Sequence, residues 1–127
     1  MVFGKKKSKI EYLAIPYTHE DPRVKEFRAE VSNMIATELS KTGRIIFAPI
    51  SAWHHIAVKY GLPGNFEYWL ELDRQFIRAS CRLLVITLPG WEESHGVQEE
   101  IKIAKEYKIP IEYIDPQPYI KNIKGAI

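Results

Sequence analysis

The apolar residues of this chain recur with two different periods, which predicts strands alternating with helices. Short and nearly continuous apolar runs of strand length occupy residues 10–15, 44–48, 82–87 and 110–114. Between them, apolar residues recur with the i, i+3, i+4, i+7 spacing of one helix face over 22–41, 51–60, 66–79 and from 94 or 95 to 107. The predicted order is therefore β-α-β-α-α-β-α-β.

Residues with strong positional preferences define the ends of these helices. Asp21 followed by Pro22 predicts an N-cap and a first helical residue, and Gly43 predicts a C-terminal stop. Ser51 is expected to cap the second helix. The Gly-Leu-Pro-Gly sequence at 61–64 separates this helix from the next.

This order favours a parallel sheet that is covered by helices on both faces. In such sheets, ligands bind beyond the carboxyl ends of the strands, so the loops at 16–19, 49–51 and 88–96 are expected to form any site. We expect one domain over residues 10–115. A basic flexible arm over 1–9 precedes it, and a tail over 116–127, whose structure the pattern does not predict, follows it.

Composition narrows the class of protein. The chain has 127 residues, of which 46% are hydrophobic and 27% charged, as in an ordinary globular protein. The net charge of +2 is too small to argue for nucleic acid. Lys5, Lys6, Lys7 and Lys9 crowd the amino terminus, where we expect a solvated arm and leave contact with nucleic acid or a membrane as the alternative.

The location of the protein is predicted from three observations. No apolar run approaches the roughly 20 residues of a membrane span. No secretory signal follows the basic start, and a single cysteine, Cys81, cannot form an internal disulfide. We therefore expect a cytoplasmic protein with no membrane association.

Two acids occupy positions where the helical pattern calls for apolar residues. Asp73 lies within the apolar stripe of the third helix, and Glu100 within that of the fourth. Burying a carboxylate costs several kcal/mol unless partners replace its hydration, so this pair suggests a site that uses paired carboxylates. The alternative for Asp73 is a structural ion pair with Arg74 or Arg78, and for Glu100 a capped amphipathic helix with acids near its amino end.

The turn before the fourth helix can hold a ligand. Ser94 and Gly96 lead into this helix, where free N–H groups can bind an anion or a sugar hydroxyl, and Gly96 permits close approach of the backbone. Trp91 could stack on a base or cover a pocket, with core packing as the alternative. No Walker A or Gly-x-Gly-x-x-Gly sequence is present, and the adjacent His54 and His55 lack ligands at a usual metal spacing. We therefore expect neither a cofactor nor a metal.

Three segments resemble the nucleoside 2-deoxyribosyltransferase superfamily, including its 2′-deoxynucleoside 5′-monophosphate N-glycosidase branch. Tyr-Leu-Ala-Ile-Pro-Tyr at 12–17 resembles the family's Tyr-Leu-Ala-Gly-Pro-(Phe/Tyr), and residues 94–104 match its Ser-x-Gly-x-x-x-Glu-x-x-x-Ala. Asp73 stands, as in that family, on the helix before the apolar strand. The Leu-Pro-Gly-Trp turn at 88–91 and the helix with Trp69 look closer to a small, poorly characterised subgroup, a domain of unknown function.

The resemblance implies a flavodoxin-like or Rossmann-like three-layer sandwich with strand order 2-1-3-4. It also implies that Glu100 is a nucleophile, that Asp73 handles a proton and that Tyr12 orients Glu100. It further implies that Ser94 binds a phosphate or sugar hydroxyl, and the other candidates for substrate binding are Gly96, Pro16, Tyr17, Thr18, Arg23 and Trp91.

The expected activity is therefore cleavage or exchange of the N-glycosidic bond of a (deoxy)nucleoside or its 5′-monophosphate, by a hydrolase or a transferase. The expected assembly is a homo-oligomer in which the tail with Tyr119 lies at an interface. Ile15 replaces the family's glycine and could narrow the sugar site, and Glu93 stands where some transferases carry aspartate. Two alternatives remain: a non-catalytic module that binds a nucleotide or nucleotide-sugar, and an interaction domain that uses the basic arm.

Overall fold

The computed structural model describes residues 7–121, and it contains the predicted alternation of strands and helices. The strands are β1 (Ile10–Ala14), β2 (Ile45–Phe47), β3 (Arg82–Ile86) and β4 (Ile111–Ile114). The helices are α1 (Pro22–Lys41), α2 (Pro49–Tyr60), α3 (Phe66–Arg78), α4 (His95–Glu106) and a short α5 (Gln117–Ile120) that lies in the tail.

The helix ends follow the capping residues, with one exception. The Asp21 side chain accepts a hydrogen bond from the Arg23 backbone N–H at 2.9 Å, and Gly43 adopts a positive φ of 93° just after α1. The prediction that Ser51 caps α2 was wrong. This helix begins at Pro49, whose fixed φ suits a first helical position, and the Ser51 hydroxyl instead bonds to that of Ser32 at 2.7 Å.

The four strands form one parallel sheet in the order β2-β1-β3-β4, which confirms the predicted order and the flavodoxin-like fold. At the centre of the sheet, Tyr12 on β1 pairs with Phe47 on one side and Leu83 on the other. Strand β1 therefore lies between two neighbours, with its carboxyl end next to that of β3.

Alternation along β1 sends side chains into two separate cores. Tyr12 and Ala14 face α3 and α4, where they pack with Ile77 and Val97. Leu13 faces the opposite side, where the core is completed by α1 and α5 packs against it. The sheet is thus the middle of three layers, and the face that carries Tyr12 is the one covered by both acid-bearing helices.

The amino ends of the strands are joined by an ion cluster. Arg44, just before β2, donates two hydrogen bonds to Glu11 of β1, at 2.7 and 3.0 Å, and a third to Glu112 of β4 at 3.0 Å. Arg82 adds a contact to Glu11 at 3.3 Å. These bonds replace the lost hydration of Glu11, whose side chain is largely buried.

Only part of the predicted arm and of the predicted tail belongs to the described residues. Lys5 and Lys6 of the predicted arm and residues 122–127 of the predicted tail lie outside the described residues. Tyr119 and Ile120 of α5 pack against the core of their own chain, so the interface role of the tail stays a prediction. Between residues 7 and 121, no helix is both long enough and apolar enough to cross a membrane.

Candidate active site

Strand alternation and helix periodicity bring Tyr12, Asp73 and Glu100 together. Tyr12 is fully buried on β1, and it points to the face covered by α3 and α4. Asp73 on α3 and Glu100 on α4 are 8% and 6% exposed, as their places in the apolar stripes predicted. The Tyr12 hydroxyl donates a hydrogen bond of 2.5 Å to Glu100 Oε2, and it also lowers the pKa of Asp73, against the larger effect of burial.

The structure contradicts the alternative in which Asp73 belongs to a structural ion pair. Arg74 instead bonds to Glu106 at 3.2 Å, and Arg78 lies over the ring of Tyr107. Within residues 7–121, neither Asp73 nor Glu100 contacts a lysine or an arginine. The two acids therefore share one face of the sheet without a compensating cation among the described residues.

This arrangement raises the pKa values of all three groups. Burial, and then the charge of Asp73, raise the pKa of Glu100 well above its usual value, against the opposing effect of the Tyr12 hydrogen bond. Burial raises the pKa of Asp73 from 3.8 to about 6. Burial and the two nearby carboxylates raise the pKa of Tyr12 well above 10, which keeps its hydroxyl protonated as a donor. The two acids thus hold their protons to higher pH than separate acids would, and the Tyr12 hydroxyl stays protonated.

Both acids line an open cavity of about 400 Å³ at the carboxyl ends of the strands. Its walls come from the end of β1 and the following loop, the start of α2, the loop before α3, and the turn into α4. The cavity therefore lies where a parallel sheet of this type binds its ligands, and its volume falls within the range of small-molecule sites.

Four of the predicted substrate-binding residues line this cavity: Tyr17, Thr18, Ser94 and Gly96. The Ser94 side chain caps α4 by accepting a hydrogen bond from the Val97 N–H at 3.2 Å, which leaves its own hydroxyl proton free to bond to a ligand. Ile15, the departure from the family pattern, also lines the cavity.

The structure places the other three outside the cavity wall. Pro16 is fully buried. Arg23 has an 82% exposed side chain and pairs with Asp21 at 2.9 Å, and Trp91 packs against the core and the ring of Tyr113. The roles of these three residues in substrate binding remain predictions, since none of them lines the cavity.

Sequence reasoning missed one wall of the cavity, formed by residues 64–67 and Trp69. The indole N–H of Trp69 donates a hydrogen bond of 2.8 Å to the carbonyl of Pro63, which holds this loop against α3. The Gly-Leu-Pro-Gly sequence predicted a break there, but a break carries no signal about which cavity it borders.

Sequence reasoning also missed the partners of Tyr17. Its hydroxyl is hydrogen-bonded to His54, which is buried on α2 and bonds in turn to Glu26 on α1. Within the described part of the chain, no group of three histidine, cysteine or acidic side chains is arranged to hold a metal ion.

Comparison with known protein families gives a match over most of the chain. The model of a family described as a domain of unknown function (DUF1937) matches residues 9–115. No curated protein matches the chain. The matched range contains all the residues that line the cavity.

Proposed function

The chain belongs to the family described as a domain of unknown function (DUF1937), and we propose that it cleaves or exchanges the N-glycosidic bond of a (deoxy)nucleoside or nucleoside 5′-monophosphate. The observation that carries this proposal is the buried pair of carboxylates, tied to Tyr12, in the wall of a 400 Å³ cavity. The resemblance of these residues to nucleoside 2-deoxyribosyltransferases supports the same reaction.

The proposed chemistry proceeds in two displacements. An oxygen of Glu100 attacks the anomeric carbon, and the bond from that carbon to the base nitrogen breaks, with its electron pair staying on the base. Asp73 gives its proton to the departing base. Water or a second base then attacks the same carbon of the glycosyl ester, Asp73 takes the proton of that nucleophile, and the Glu100 carboxylate is released.

Tyr12 supports this division of roles between the two acids. It donates its hydrogen bond to Oε2 of Glu100, which favours the ionised glutamate and leaves the other oxygen for attack. The reactive state of the pair is the one in which Glu100 is ionised and the shared proton resides on Asp73, from which a base can be protonated. No lysine or arginine within residues 7–121 offsets the burial that raises the pKa of both acids.

The experiment that tests the proposal is substitution of Glu100 by glutamine, with base release followed by chromatography over a panel of nucleosides and 5′-monophosphates. We expect the rate to fall by about a thousandfold or more because the amide is a poor nucleophile. Glu99→Gln is the matched control, because this neighbouring side chain is partly exposed and pairs with Lys102 at 3.1 Å. Equal rates for the Glu100→Gln variant and the wild type would rule out the nucleophile.

The same panel separates hydrolysis from exchange. Addition of a second free base gives a new nucleoside if the glycosyl ester accepts bases, and gives only free sugar if it accepts water. The alternative of a non-catalytic nucleotide-binding module draws on Ile15, whose side chain borders the cavity where the resembling family has glycine. That module predicts bound nucleoside and no free base after long incubation.

We also propose that the protein is a homo-oligomer whose tail contributes to an interface. Light scattering on the whole chain and on a variant with Tyr119→Ala tests this. A monomeric mass for the whole chain contradicts it.

A further inference from the structure

Tyr17 separates the cavity that holds the carboxylates from a second cavity. This second cavity has a volume of about 270 Å³, and its walls include Trp53, His54 and Trp69. Tyr17 lines both cavities. Its side chain is therefore placed to contact a ligand in either one.

Behind Tyr17, two side chains continue a hydrogen-bonded chain to the surface. The Tyr17 hydroxyl is bonded to Nδ1 of His54, and Nε2 of His54 lies 2.7 Å from Oε1 of Glu26. The His54 side chain is 6% exposed and that of Glu26 is 62% exposed. This series of hydrogen bonds thus links Tyr17, in the loop after β1, to His54 on α2 and Glu26 on α1.

For a neutral His54, the chemistry of these groups sets the direction of each hydrogen bond. A carboxylate only accepts, so the Nε2–H of His54 donates to Glu26. A neutral imidazole has a single N–H, so Nδ1 of His54 accepts, and the Tyr17 hydroxyl must donate to it. The Tyr17 proton is then engaged by His54, so a ligand that reaches the Tyr17 oxygen meets only its lone pairs.

From this geometry we infer that Glu26 and His54 are positioning residues that make Tyr17 an obligatory hydrogen-bond acceptor. The site therefore selects a ligand that presents an N–H or O–H group to Tyr17 over one that presents a carbonyl or ring nitrogen. A tyrosine with a freely rotating hydroxyl would accept both kinds of ligand. The inference rests on the proposed function only in its use of nucleosides as probes.

The tautomer of His54 is the first test, and it needs no ligand. Nitrogen-15 NMR of the imidazole in the whole protein should show a protonated Nε2 and an unprotonated Nδ1. In Glu26→Ala, the preference for this tautomer should weaken. The matched control is Glu30→Ala, one turn further along α1, because Glu30 is also exposed and borders neither cavity. A protonated Nδ1 as the main form in the wild type overturns the inference.

Ligand selectivity is the second test, measured as dissociation constants on the Glu100→Gln variant so that turnover does not interfere. Deoxyadenosine has a donor at C6 where deoxyinosine has an acceptor, with the reverse at N1, and thymidine has a sugar hydroxyl that 3′-deoxythymidine lacks. In one of the pairs, we expect the member with a donor at the position facing Tyr17 to bind about fivefold more tightly than the other member. This factor corresponds to one neutral hydrogen bond. Which pair responds identifies the group that faces Tyr17.

The preference should be lost in Tyr17→Phe and reduced in Glu26→Ala, and it should persist in Glu30→Ala. Equal affinities within both pairs, absence of nucleoside binding, or a preference that survives Tyr17→Phe overturns the selection of donors by Tyr17. Selective binding without base release by the wild type refutes the proposed function and leaves this inference standing. Base release by a wild type whose His54 is protonated on Nδ1 supports the proposed function and refutes this inference.

Discussion

Replacing Asp73 by asparagine should make the protein more stable at alkaline pH while it abolishes base release. Asp73 is 8% exposed and has no cation beside it among residues 7–121. Its ionised form is therefore unfavourable in the native state. Asparagine has nearly the same shape and leaves the hydrogen bond from Tyr12 to Glu100 in place, but it cannot ionise or protonate a base.

The magnitude follows from the pKa of Asp73, which is about 6 in the fold and 3.8 as the ordinary value. Because the native state holds the proton more tightly, its stability falls as the pH rises from about 4 to about 6, by about 1.4 kcal/mol per unit. Above pH 6 the full penalty of about 3 kcal/mol is present. The gain from Asp73→Asn should thus reach about 3 kcal/mol at pH 8 and shrink to a few tenths near pH 3.5.

Urea denaturation of both proteins at pH 3.5, 5 and 8 measures this difference. Glu92→Gln removes the same charge from an exposed position, and we expect it to change the free energy of unfolding by less than about 0.5 kcal/mol. In the double variant with Glu100→Gln, the gain in the free energy of unfolding should be smaller than the sum of the two single gains, because either substitution relieves the same repulsion. A less stable Asp73→Asn protein at pH 8, or a gain that does not vary with pH, would refute the reasoning.

Three further predictions concern other parts of the structure. Gly96→Ala should retain the fold, since the added carbon makes only ordinary contacts at 3.5 Å or more, but it should slow base release by about tenfold or more by filling the cavity; equal rates would show that the ligand lies elsewhere. Gly90→Ala should destabilise the fold by about 1–3 kcal/mol in thermal melts, because its φ is 101° and a Cβ would lie 2.7 Å from the guanidinium of Arg28. Arg44→Met should cost about 2 kcal/mol at pH 7 by leaving Glu11 without its main partner. The Arg44 hydrogen bond lowers the pKa of Glu11, so this loss should fade as the pH falls below the usual value of 4.5, and a loss that persists when Glu11→Gln is added would contradict the explanation.

Most of the fold could be predicted because its signals are local. Strand-length apolar runs and helical stripes gave all four strands and the four long helices, and Asp21 and Gly43 set the ends of α1. Ser51 misled the prediction of α2, because serine is a good N-cap but Pro49 offered an earlier helix start. The short α5 has no repeating stripe, since four residues are too few to display one.

The site could be predicted only where its residues depend on an element's period. Asp73 and Glu100 face inward because they occupy core positions of their helices, and this was visible in the pattern. Which face of the sheet each helix covers is decided by chain crossovers, so the meeting of the acids at Tyr12 followed from no local signal. The link of His54 to Tyr17 and Glu26 depends on the packing of α2 against α1, which is likewise tertiary.

The hydrogen bond between Tyr12 and Glu100 spans 88 residues of the chain, and this has a consequence for how the protein folds. During synthesis, β1 leaves the ribosome long before α4 does. Tyr12 therefore has no hydrogen bond to Glu100 until the rest of the domain is made. Both acids stay hydrated until α3 and α4 close over β1. The electrostatic cost of the pair therefore falls on a late step, and raising the pH should speed unfolding more than it slows refolding.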